Sequence, residues 1–136
     1  MRNLKKILIL VAVVPLSAIV GYYALIYLLG GPVMPYFFEI VNHDAGSHEV
    51  TVEILDANNR PILKETYTPG PDEKVSEKKP FSLRNSIEVK KYTFRITLDN
   101  GTVEKEVPVS LHHWSTVFIH VYQESESPIM IDMITV

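Results

Sequence analysis

The sequence predicts an antiparallel all-β sandwich of seven or eight strands, carried behind one N-terminal transmembrane helix. Three observations lead there. Residues 7–29 hold 20 apolar side chains out of 23, and no charged residue occurs between Lys6 and Glu39. Residues 36–136 hold only 39 apolar side chains out of 101, and these alternate with polar ones. Turn-forming clusters interrupt the alternation at the roughly 8–12-residue spacing of short-stranded sandwiches.

Charge is as unevenly spread as apolarity. Arg2, Lys5 and Lys6 make the head positive, whereas residues 36–136 carry 10 basic against 16 acidic groups, a net −6. This distribution excludes a simple cytosolic globule, a polytopic transporter and a basic nucleic-acid binder. It defines a basic N-terminus at 1–6, a spanning helix at 7–29, a Gly/Pro linker at 30–35 and a domain at 36–136.

The helix is set by length and solvent. A 23-residue helix is about 34 Å long, enough for a hydrocarbon core of about 30 Å. Lipid offers no partner to a free backbone group, so the span must be helical, and Pro15 is tolerated inside it. Tyr22, Tyr23 and Tyr27 suit an interfacial aromatic belt at its C-terminal end. The basic head places the N-terminus in the cytoplasm and the domain outside. A cleaved signal peptide is the rival reading. The apolar run exceeds the roughly 7–15 residues of a signal core, and its best cleavage site, Leu16-Ser17-Ala18, has Leu where a small residue belongs. A retained signal anchor is expected.

Gly30-Gly31-Pro32 and Pro35 end the helix, and period-two alternation follows. Val50, Val52 and Ile54 share one face; so do Tyr92, Phe94, Ile96 and Leu98, and so do Val117, Ile119 and Val121. β-branched and aromatic residues suit a pleated, half-buried surface. Strands are expected at about 36–42, 48–56, 61–67, 75–83, 89–98, 102–109, 116–122 and 128–135, with no useful helix after residue 30. Asp99-Asn100-Gly101 is the strongest turn signal and makes 89–98 and 102–109 antiparallel neighbours. Cysteine is absent, so packing alone must hold the sheets.

The run YTPGPDEKV at Tyr67–Val75, followed by KYTFRITLDNGTVEKEVPV at Lys91–Val109, resembles small immunoglobulin-like or fibronectin-III-like modules of prokaryotic, especially archaeal, cell-surface proteins. The resemblance spans about residues 36–122 and implies an immunoglobulin-like strand arrangement. It also implies binding, adhesion or spacing without catalysis. It carries over no catalytic residue. Tyr92 stands where such folds often tie a corner, although a plain core tyrosine reads equally well.

Five histidines are the obvious candidates for chemistry: His43, His48, His112, His113 and His120. Imidazole suits Cu(II) or Zn(II), but a blue-copper site needs a thiolate, and Met130 and Met133 alternate with Ile in a strand pattern. An immunoglobulin-type connectivity would bring loops 43–47 and 110–115 to the same pole, so such a site is geometrically open. Ligand quality argues against it, and neither a specific metal site nor any cofactor is expected. There is no Gly-x-Ser-x-Gly elbow, and Glu104/Glu106 and Glu124/Glu126 read as solvated faces of strands. An enzyme is not expected.

Recognition has better candidates. Trp114 and His113 lie in SLHHWS between two strands, where Trp114 is either an interface anchor or core. The loop 68–80 reads as a solvated connector. Asn100-Gly101-Thr102 is a glycosylation triplet on a hairpin tip, and its residues also serve the turn itself. The apolar tail Ile129–Val136 must be paired, either within its own sandwich or with a neighbouring subunit. The sequence thus favours a non-enzymatic, single-pass cell-membrane protein. Its outward domain binds or spaces other envelope or surface proteins, as an accessory subunit or surface-layer contact. A filament or secretion-machinery component, pilin-like or archaellum-stator-like, is the alternative, and a copper- or zinc-binding envelope protein is third.

Overall fold

The computed structural model describes residues 1–30, 36–84, 86, 88–124 and 126–135. Of the linker expected at 30–35, Gly30 belongs instead to the helix, and residues 31–35 lie outside the described residues. The chain divides into two compact units between residues 33 and 34.

The first unit is α1 (Arg2–Gly30), which runs through Pro15 without interruption. Its stretch Arg2–Leu28 has a mean hydropathy of 2.3 and is long and apolar enough to cross a membrane.

The second unit turns sequence alternation into two sheets. Its strands are β1 (Tyr36–Asn42), β2 (Val50–Leu55), β3 (Pro61–Tyr67), β4 (Lys74–Lys78), β5 (Lys90–Leu98), β6 (Val103–Leu111), β7 (Ser115–Glu124) and β8 (Ser127–Thr135). One sheet has the order β4-β1-β7-β8 and the other β3-β2-β5-β6. Every described pairing is antiparallel except β1 with β7, which run parallel from Phe38↔Val117 to Asn42↔Val121. The expected β5–β6 hairpin forms, closing from Leu98↔Val103 over a turn in which Asp99, Asn100 and Gly101 all have positive φ.

Two expectations need correction. An immunoglobulin-type arrangement separates the second and third strands into different sheets. Here β2 and β3 are direct neighbours, paired from Val50↔Tyr67 to Leu55↔Pro61. The five-residue turn after Leu55 lets the chain fold back on itself, so β3 joins the same sheet. The strand expected at 75–83 ends at Lys78. Pro80 has no N–H to extend a ladder, and its carbonyl instead accepts from Leu83 and Arg84, starting the one-turn helix α2 (Phe81–Arg84).

The core fills the space between the sheets. Phe37, Phe38, Tyr92 and Phe94 form its aromatic centre, with Phe94 edge-on to Phe37 at 5.6 Å and to Phe38 at 6.0 Å. Tyr92 is a core residue, packed edge-on against Phe37 at 5.3 Å. Its burial pushes the phenol pKa up, with Asp56 adding to the shift. Tyr67 on β3 fastens the edge strands together, since its hydroxyl donates to Glu77 on β4 at 2.8 Å.

The two poles of the sandwich are chemically distinct. One pole gathers the ends of β1 and β7 with the turn 99–102. The other gathers Tyr36, loop 56–60, the described residues of 79–91 and loop 112–114.

Candidate functional site

The parallel β1–β7 pairing decides which histidines meet. Loop 43–49 leaves the end of β1, whereas loop 112–114 leads into the start of β7. Parallel neighbours put those two loops at opposite poles, so the shared pole expected for 43–47 and 110–115 does not exist. His43 and His120 meet, and His48 lies at the same pole; His112 and His113 stand apart from them.

At the first pole, Asn42 organises the loops. Its buried amide donates to the carbonyls of Gly46, Pro69 and Gly70 at 2.8, 3.2 and 3.0 Å. Its carbonyl accepts from the Asp44 backbone at 3.0 Å. Loop 43–47 is thereby locked to loop 68–72. Gly70 belongs to this lock through its backbone, its carbonyl accepting from Asn42 and its N–H donating to Glu73 Oε2 at 2.7 Å.

The locked loop presents His48 to two carboxylates. Its Nε2 donates to Asp44 at 2.6 Å and its Nδ1 to Asp99 at 2.8 Å. Burial disfavours the imidazolium, but the bonds to Asp44 and Asp99 outweigh it and the pKa is raised. The bond from His48 in turn holds the Asp44 carboxyl below its ordinary value. Tyr122 lies against the ring, centroids 4.7 Å apart, with a left-handed backbone (φ 53°) where the β7–β8 register breaks. A bulky residue takes that conformation only where its surroundings hold it there. The arrangement stabilises a cation and ties β5 to loop 43–49. It has no neutral imidazole nitrogen in position to act as a base.

Beside it, His43 and His120 stack, with Nε2 and Nδ1 2.9 Å apart. Asp132 faces the other nitrogen of His120 at 3.7 Å. Burial and the neighbouring His43 lower the His120 pKa, and Asp132 only partly opposes them. The pair opens onto a groove of about 520 Å³ bordered by Val41, Lys74, Phe118 and Ile134. Two imidazoles could take an ion between them. Among the described residues, no group of three or more His, Asp or Glu side chains is placed to hold one.

At the other pole His113 is fully buried, its Nδ1 bonded to the Ser86 carbonyl. Among the described residues its Nε2 has no hydrogen-bond partner. Lys79, also buried, donates to the His113 carbonyl at 2.7 Å, and burial lowers its pKa to about 8. Desolvation likewise lowers the pKa of His112, with His113 and Lys79 adding to the effect. Trp114 is half-buried and packs at a tilt against His113, with ring centroids 3.8 Å apart. The pair Trp114/His113 is therefore in large part internal packing, and only the indole reaches the surface. Asn100 is exposed on its hairpin tip.

Sequence reading missed Asp99, Tyr122, Asp132, Lys79 and Asn42. Only Asn42 left a trace, as a polar residue ending an apolar strand; the others depend on partners 12 to 51 residues away or on a backbone irregularity.

The sheet edges differ sharply. Edge strands need charge, proline or a bulge to avoid pairing with other chains. β4 reads KVSEK, β3 carries Pro61, Lys64 and Glu65, and β6 carries Glu104, Lys105, Glu106 and Pro108. β8 reads SPIMIDMIT, with Asp132 its only charge. Lys105 covers its start by donating to the Ile129 carbonyl at 3.1 Å. Further along, Met133 and Ile134 are about half exposed.

No family model matches the chain, and no curated protein matches it.

Proposed function

We propose that this is a non-enzymatic, single-pass membrane protein. Its outward β-sandwich docks partners at the cell envelope through the edge of β8. The observation that carries the reading is the contrast between β8 and the other three edges, together with an apolar helix of spanning length. Beyond Pro128 and the part covered by Lys105, Asp132 is the one guard left on β8, and such an apolar edge offers main-chain hydrogen bonds and alternate side-chain pockets to an added strand. That strand comes from another envelope protein or from β8 of a second copy. The basic head and the charge-free span favour a cytoplasmic N-terminus. The likeness to immunoglobulin-type surface modules supports the role at the level of a two-sheet architecture, the strand order being this protein's own.

The test is mild solubilisation of the full chain from its native membrane, followed by identification of co-purifying chains. Met133→Lys with Ile134→Lys places charge on the exposed half of β8. The partner, or the second copy, should be lost while the far-UV CD spectrum stays unchanged. A complex that survives both substitutions overturns the assignment to β8, and a monomer without partners overturns docking.

A further inference from the structure

We infer that the pole of the sandwich bearing α2 is a lipid-facing surface that recognises the anionic headgroups of the membrane. Charge is the first observation. Segment 78–91 holds Lys78, Lys79, Arg84, Lys90 and Lys91 against the single acid Glu88. The rest of residues 36–136 carries 5 basic and 15 acidic groups, so this segment is a positive island in a strongly negative domain. Lys79 is buried, but Lys78, Arg84 and Lys91 are exposed and Lys90 half-exposed. Arg60 adds a further exposed cation at this pole, and Asp56 with Glu88 is the acidic counterweight. The opposite pole collects Asp44, Asp72, Glu73, Asp99, Glu124 and Glu126.

Apolar exposure is the second observation. Phe81 is 71% exposed and Val89 61%, and both lie among the cations. A groove of about 710 Å³ runs beside them, lined by Ile62, Pro80, Val89, Lys90 and Lys91. Bulky apolar tips flanked by Lys and Arg are the composition that settles into the headgroup layer, with the cations meeting lipid phosphates.

Connectivity is the third. β1 begins at this same pole, Tyr36 pairing with Lys78, so the described sandwich residues nearest in sequence to α1 belong to the basic pole. This inference rests on the anchor reading of α1, and the experiment separates the two.

The natural chain has no cysteine, so a single Val89→Cys accepts one spin label in the otherwise intact full chain. The labelled protein is placed in nanodiscs of phosphatidylcholine alone, or with a third of the lipid replaced by phosphatidylglycerol. Relaxation by oxygen against a water-soluble nickel chelate reports the label's surroundings. The expected result is a shift from water-like to lipid-like accessibility on adding phosphatidylglycerol. Combined Arg84→Glu, Lys90→Glu and Lys91→Glu should abolish the shift with the far-UV CD unchanged. A label that stays water-like in both lipids overturns the inference. So does a lipid-like label indifferent to the charge reversals. A second label at Val13→Cys reads the helix itself. If residue 13 is in lipid and residue 89 is not, this inference alone fails; if residue 13 is in water, the anchor reading fails.

Discussion

Replacing His48 by Gln removes a half-buried cation from between two carboxylates and should leave a pH-dependent deficit in stability. The His48 side chain is 14% exposed, whereas Asp44 and Asp99 are 43% and 37% exposed. Hydrogen bonds to charged groups contribute about 1.5–3 kcal/mol each when well enclosed, but exposed ion pairs contribute about 0.2–1 kcal/mol. After that discount and the cost of burying the ring, the loss should be about 1 kcal/mol in mild acid. The raised pKa means that folded protein keeps the His48 proton to higher pH than the unfolded chain does. This stabilisation is complete below the unfolded value of 6.5 and fades as pH rises through the folded value. It also declines in strong acid as the Asp44 carboxylate, held below 3.8, takes up its proton. Urea unfolding of the full chain in detergent, followed by the fluorescence of Trp114, measures this. The deficit of His48→Gln should be present at about pH 5.5 and clearly smaller at about pH 8.5, by the linkage just given. A deficit that is absent at both, or that grows with pH, would refute the account of this cluster.

Other outcomes follow from the core and the loop lock. Phe94→Ala empties the aromatic centre between the sheets and should cost about 3–5 kcal/mol, read by the same urea titration. Asn42→Ala leaves the Gly46, Pro69 and Gly70 carbonyls without their buried donor and should cost about 2 kcal/mol. Faster amide exchange should accompany that loss in loops 43–47 and 68–72. Residues 36–136 produced without the helix should be soluble, with a β-type far-UV CD spectrum and a cooperative melt; a disordered spectrum would contradict an independent core.

How much of this could be read from the sequence depends on the range of the interactions involved. Alternation is local, so Tyr92, Phe94, Ile96 and Leu98 announce both β5 and its buried face. Asn100-Gly101 announces the hairpin that follows. The failure at 79–84 is local too: Pro80 signals the end of a strand, yet nothing before it predicts the helical turn that its carbonyl initiates. Sheet assignment is a different matter. Whether β3 pairs with β2 or crosses to the other sheet depends on how the turn after Leu55 closes. The parallel β1–β7 pair joins residues about 79 positions apart in sequence. The site inherits that uncertainty. His43 and His120 are 77 residues apart and His48 and Asp99 are 51 apart. Their encounters follow from strand order, which composition does not encode. The apolar tail is legible because IMIDMIT needs no partner elsewhere to show that Asp132 is its single charge among five apolar residues.

The central claim is that a membrane-anchored sandwich faces outward from the cell. Ser47→Cys supplies one exposed thiol on the pole away from α2 in a chain that otherwise has none. Intact cells producing this variant are treated with a membrane-impermeant maleimide, before or after lysis. The account predicts full labelling of the membrane-bound protein on intact cells, with no increase after lysis. Labelling that appears only after lysis, or a labelled chain that washes free of the membrane, would contradict it.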